Sequence, residues 1–116
     1  MYEYRAIVVK VYDADTLRAD IDLGFGVWLK NQSIRWLGID AWEVRGEERE
    51  LGITARDRVR NLILGKEVIL KTYKDDKGKY GRWLAEVYMA ETTLLEWETS
   101  LNQQLINEGH AEPYPK

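Results

Sequence analysis

Four carboxylates and two guanidiniums stand at spacings that chemistry can use. Asp13 and Asp15 flank one small residue and precede Thr16. Two acidic side chains at a strand bend offer several oxygens to a hard cation, and the same pattern also suits a turn in which aspartate caps its own backbone. Residues 34–43, I-R-W-L-G-I-D-A-W-E, then put Arg35, Asp40 and Glu43 within nine positions at the end of a strand. Strand parity places Arg35 on a face with Leu37 and Ile39, and Ile34, Trp36 and Gly38 on the other. Both faces are partly apolar, so the guanidinium needs an anionic partner: a carboxylate if its role is structural, a substrate phosphate if it is functional. Lys79-Tyr80-Gly81-Arg82 sets a second arginine at the start of a later strand, beside a lysine-bearing loop. Taken singly, these are a turn, a salt-bridged strand end and an exposed hairpin.

Composition limits what the acidic groups can hold. The chain has 116 residues, no cysteine and one histidine, His110. Disulfides and thiolate metal sites are excluded, as is a zinc site of nitrogen and sulfur ligands, so any metal here is a hard cation held by oxygen. With 45% hydrophobic and 32% charged residues, the expectation is one globular domain over 1–116 with a single core. Met1 leads straight into a strand-like run, which suggests neither a signal peptide nor a membrane span and favours a cytoplasmic location, secretion remaining open if a leader was removed. The net charge of -3 argues against strong sequence-independent nucleic-acid binding but leaves room for a local basic groove.

The elements that must position these groups follow from periodicity. Residues 2–12 read as a strand with Ile7, Val9 and Val11 on one face, and residues 17–23 as a strand with alternating wet and dry faces. Gly24-Phe25-Gly26 is a turn, and a third strand runs from Val27 to Asp40 with a bulge or bend at Asn31-Gln32. After a charged loop at 44–50, helical spacing of Leu51, Ala55, Val59, Leu62 and Ile63 predicts a helix over about 53–64 that is core packing, stopped by Gly65. Strands follow at 67–73 and 82–89, joined by a hairpin loop, with a short strand possible in pattern at 94–97. Ser100 and Gln103 form a capping-box pattern for a second helix that ends at Gly109, where His110 is a helix-end residue, and the proline-containing tail is a loose end or a strap. The order suggests an α+β, mainly β architecture: a five-stranded OB-fold barrel with two packed helices.

Taken together and in this order, the motifs resemble the staphylococcal nuclease (thermonuclease) family. Asp13-Ala14-Asp15-Thr16 stands for its D-G-D-T element, Arg35 to Glu43 for R-L-x-G-I-D-x-P-E, and Lys79-Tyr80-Gly81-Arg82 for K-Y-G-R. Gly52-Ile53-Thr54-Ala55 and Leu105-Ile106-Asn107-Glu108-Gly109-His110-Ala111 are similar to further family segments. Ala14 replaces the family's glycine and Trp42 its proline, the loop after Glu43 is short, and a C-terminal helix is missing from the pattern.

The resemblance implies an OB-barrel enzyme that hydrolyses phosphodiester bonds of DNA and RNA with calcium and leaves 3′-phosphate ends. By position it implies Asp15, Asp40 and the backbone carbonyl of Ala41 as calcium ligands, with Asp13 as a carboxylate just behind them. Glu43 becomes the general base, and Arg35 and Arg82 the phosphate clamps. Tyr80, Lys79, Trp42 and Tyr114 become the substrate contacts; Trp42 either stacks on a base or packs over the barrel mouth. A monomer acting on nucleic acid, away from membranes, is expected. The alternative is a catalytically inactive nucleic-acid- or protein-binding module of the same fold, as in Tudor-associated repeats.

Overall fold

Alternating apolar residues build a closed barrel, whose irregularities decide which side chains face in. The computed structural model describes residues 2–74, 82–91, 93 and 95–114. Strand β1 (Tyr2–Asp13) pairs antiparallel with β2 (Thr16–Asp22), which pairs with β3 (Trp28–Trp36). Later in the chain, β5 (Glu67–Lys74) pairs with both β1 and β6 (Trp83–Met89), and β6 lies parallel to β3. The barrel therefore closes in the order β1-β2-β3-β6-β5, the five-stranded OB arrangement expected from the pattern.

Two phase changes correct the simple parity reading. In β1 the register shifts between Val8 and Lys10, so the inward residues are Ala6, Val8 and Val11, and Val9 is exposed. A bulge adds one residue and flips the faces beyond it, which is why Ile7, Val9 and Val11 do not share the core. At the other end, β3 does not continue to Asp40. It stops at Trp36, turns at Leu37-Gly38 with Gly38 at φ +76°, and resumes as β4 (Ile39–Ala41). Ile39 is buried beside Ile34 and Trp36 rather than sharing a face with Arg35. The bulge expected near Asn31-Gln32 is present: Asp20 Oδ1 accepts from the Asn31 amide, with Asn31 at φ +55°.

Helix α1 spans Arg49–Ile63, starting four residues earlier than the spacing predicts. It packs on β1 through Ala55, Val59 and Ile63, while Leu51 is exposed. Arg60 donates to the Val11 carbonyl at 3.0 Å, and Gly65 ends the helix at φ +77°. The stretch at 97–99 is a 3-10 turn, and residues 95 and 96 carry no strand; Leu94 lies outside the described residues. Helix α2 (Leu101–Asn107) is capped by Ser100, whose Oγ accepts from the Gln103 amide. The Gln103 side chain accepts from the Trp97 indole instead of closing the box. The tail is a strap: β7 (Ala111–Pro113) pairs antiparallel with β4. Among the described residues no helix is long and apolar enough to cross a membrane.

Candidate active site

The β1–β2 connection is the first wall. Asp13 pairs with Thr16, and Asp13 Oδ1 accepts from the Asp15 amide at 3.1 Å, an Asx turn that fixes both carboxylates. Ala14 is buried without a positive φ, so the alanine costs the turn no strain. The Thr16–Arg35 pairing of β2 with β3 then brings Arg35 beside Asp15. Asp15 is buried, accepts from the Ala41 amide through Oδ2 at 2.8 Å, and so stitches the turn to β4.

Five of the six chemistry-bearing side chains meet here. Asp13, Asp15, Arg35, Asp40 and Glu43 line one cleft of about 420 Å³ with Tyr12, Ala41, Val44 and Arg45. The Arg35 guanidinium lies 3.5 Å from Asp15 Oδ2 and 3.7 Å from Asp40 Oδ1, and Nη1 also donates to the Trp36 carbonyl at 3.1 Å. Both readings of its anionic partner are thus compatible: carboxylates hold it now, at the long end of ion-pair distances. Burial pushes the Asp13 carboxyl up to about 7, aided by Asp15 beside it and opposed by Arg35. Asp40 and Glu43 are exposed at the rim.

The Glu43 loop is anchored without the family's proline. The Glu43 amide donates to Glu48 Oε2 at 3.0 Å, and the buried Gly52 of α1 abuts the Glu43 carbonyl closely enough to leave no room for a Cβ. Trp42 is half-buried, its indole N–H donates to the Gly109 carbonyl at 2.9 Å, and it lines a neighbouring acidic hollow rather than the cleft. Tyr114 is exposed and its amide donates to the Gly38 carbonyl, away from the cleft lining. Arg82 does not line the cleft either; it stands two residues before Leu84, the cross-strand neighbour of Arg35. Lys79 and Tyr80 lie outside the described residues.

The donor set fits a hard cation. Every candidate ligand is oxygen, and His110 sits elsewhere, 3.6 Å from Glu108. Burial is the main cause that raises Asp13, and the neighbouring Asp15 carboxylate adds a negative charge that a cation would offset. Among the described residues no three acidic or histidine side chains are gathered tightly enough to hold a metal by themselves. The cleft is lined by Asp15, Asp40 and Ala41, the residues that could contribute oxygen to such a cation.

Sequence reasoning missed Arg45, a second cation in the cleft, because it sits in a mixed-charge run. It also missed Asn102. That side chain is fully buried on α2, donates to the Leu37 and Ala85 carbonyls at 2.8 and 3.2 Å, and accepts from the Val87 amide at 2.8 Å. It pins the turn from which β4 carries Asp40. A polar residue on an apolar helix face was the available signal.

The chain is thus a closed OB barrel with an acidic, arginine-bearing cleft. The family model described as staphylococcal nuclease homologue matches residues 33–116, and the chain belongs to that family. A comparison with curated proteins finds no match. The matched span holds Arg35, Asp40, Glu43 and Arg82 but starts beyond Asp13 and Asp15. Those two join the cleft through barrel pairing.

Proposed function

We propose that this chain is a calcium-dependent nuclease that hydrolyses phosphodiester bonds of DNA and RNA and leaves 3′-phosphate ends. The observation that carries the reading is the meeting of Asp15, from the β1–β2 turn, with Arg35, Asp40 and Glu43, from residues 35–43, in one open cleft. Family membership supports a phosphodiester as the substrate.

In this reading Glu43, exposed at the rim, orients the attacking water and takes its proton. Oxygen from water bonds to phosphorus, the bond to the 5′ oxygen breaks, that oxygen leaves and takes a proton from solvent, and the phosphate stays on the 3′ carbon's oxygen. Arg35 turns its fork from the carboxylates toward the phosphate oxygens, where its hydrogen bonds strengthen as charge builds. Arg82 is the second clamp. Asp15, Asp40 and the Ala41 carbonyl would hold a calcium ion, which would polarise the phosphate. Lys79, Tyr80, Trp42 and Tyr114 contact the flanking nucleotides.

A second reading, a module that binds without cutting, is favoured by Arg35 being engaged by Asp15 and Asp40. One experiment separates them: degradation of single- and double-stranded DNA and of RNA with calcium or chelator, comparing the native chain with Glu43→Gln. Glutamine keeps the shape and loses the base. A positioned base is worth about 10²- to 10⁴-fold. Calcium-dependent cleavage that falls by that factor supports the nuclease; binding without cleavage under any divalent cation overturns it for the module.

A further inference from the structure

The aromatic ring at the cleft is not one that the motifs suggest. Trp42 and Tyr114 do not line it, and among the described residues that do, Tyr12 alone carries a ring. Val11 is buried, so alternation turns Tyr12 outward, and it is 44% exposed. It directly precedes the Asp13–Asp15 turn, which sets the ring beside the carboxylates rather than at a distance from them.

Three cations surround this ring. Lys10 Nζ lies over it, 4.4 Å from the centroid. Arg18 stands directly opposite Lys10 in the β1–β2 ladder and donates to the Asn31 carbonyl at 2.8 Å, not to a carboxylate. Hydrogen bonds from Arg18, and then from Lys10, hold the Tyr12 phenol below its usual range. Arg45 joins from the loop after Glu43 and lines the cleft with Tyr12. Among the described residues none of these three forms an ion pair, whereas Arg5, Lys30, Arg56 and Arg58 each do. Like charges placed opposite one another in a sheet repel, so Lys10 and Arg18 carry a local cost that a bound anion would remove.

We propose that Tyr12, Lys10, Arg18 and Arg45 form a subsite for an unpaired nucleotide adjoining the cleft, its base stacked on the Tyr12 ring and its phosphates met by the three cations. The subsite rests on the reading that the cleft takes a phosphodiester of nucleic acid, and it makes single strands the substrate class that this wall selects. Every base has a face that an aromatic ring can stack on, and in a duplex those faces are already stacked on one another. With a net charge of -3, overall attraction to duplex is weak, so stacking decides. Lys10 occupies one side of the ring, and the base takes the other.

Fluorescence anisotropy of a labelled single strand of about ten nucleotides, in chelator and at low salt, reads the subsite without cleavage. Tyr12→Phe keeps the ring and should bind as the native chain does. Tyr12→Leu should bind about 5- to 150-fold more weakly, and the exposure of the site should leave its circular dichroism unchanged. A duplex of the same sequence should bind less well and be indifferent to Tyr12→Leu. Arg45→Gln, in an exposed loop, should lower the slope of log affinity against log salt by about 0.7. No native binding at about 1 mM, a Tyr12→Leu variant that binds single strands as well as the native chain, an equal loss on duplex, or a salt slope indifferent to Arg45→Gln overturns the proposal. Added calcium then tests the nuclease separately. Binding that needs Tyr12 without cleavage keeps the subsite and loses the nuclease; cleavage by a chain whose binding ignores Tyr12→Leu does the reverse.

Discussion

Replacing Gly52 by alanine sets two forces of opposite sign against each other. Inside a helix alanine is favoured over glycine by about 0.8 to 1 kcal/mol, so propensity alone predicts a more stable protein. Gly52 is the fourth residue of α1, and it is buried against the Glu43 loop. A Cβ there would overlap the Glu43 carbonyl and lie 2.6 Å from the Val44 nitrogen. Ordinary contacts require about 3.5 Å, so helix and loop must part by roughly 1 Å or more. Overpacking costs about 1 to 3 kcal/mol, and a clash with backbone atoms that cannot swing aside falls in the upper half of that range, about 2 to 3 kcal/mol. The expected net effect is a loss of about 1 to 2 kcal/mol in urea unfolding. If Glu43 is the base, a displacement of about 1 Å should also lower cleavage on the order of 10²-fold. A variant as stable as the native chain, or more so, would refute the contact. Lost stability with unchanged cleavage would keep the contact and remove Glu43 from the chemistry.

The other predictions concern the carboxylate turn, the buried amide and the clamp. Asp13 is raised from its ordinary 3.8 to about 7. Between those values the folded state keeps a proton that the unfolded state has released, so stability falls as pH rises through that window and the deficit is complete above it. The full shift would be worth about 4 kcal/mol, which partial exposure and screening reduce to on the order of 1 to 2 kcal/mol. Asp13→Asn keeps the oxygen that accepts from the Asp15 amide, so in metal-free buffer it should gain that amount at pH 8 and nothing at pH 4. An equal effect at both would show that buried charge is not the cause. Asn102→Ala strands a buried amide and two carbonyl contacts and should cost about 2 to 4 kcal/mol in denaturant titration; a loss under about 0.5 kcal/mol would mean water replaces it. Arg35→Lys keeps the charge without the fork and should reduce cleavage about 10²- to 10³-fold; equal rates would show that only the charge at this position matters.

What the sequence displayed and what it concealed divide along physical lines. Alternation in β2 and the Asp-x-Asp-Thr bend were visible because they are local. So was the α1 face of Ala55, Val59 and Ile63, since helical spacing needs no knowledge of the partner. The β1 bulge at Val9 was not, because one inserted residue leaves an apolar run looking continuous. The break at Leu37-Gly38 was concealed for a related reason: Ile39 continues the apolar run, and only pairing with the distant β7 makes residues 39–41 a separate strand. The tail could be read as non-helical but not as a strap, because its partner lies about seventy residues away.

The cleft joins chain segments that local motifs describe only one at a time, and barrel closure supplies what they lack. Thr16 pairs with Arg35 across β2 and β3, so the β1–β2 turn must deliver its carboxylates to the end of β3. Asp15 then accepts from the Ala41 amide, so the same aspartate that could ligate a cation also fixes β4, and Asp40 with it. Helix α1 contributes no side chain to the cleft lining, which agrees with reading it as core packing. Its closest approach, however, is backbone to backbone at Gly52, under the residue assigned as base. The position that most constrains Glu43 is therefore one with no side chain at all. Its sequence signal, a glycine in the first turns of a helix, reads as weak propensity unless the neighbour pressed against it is known.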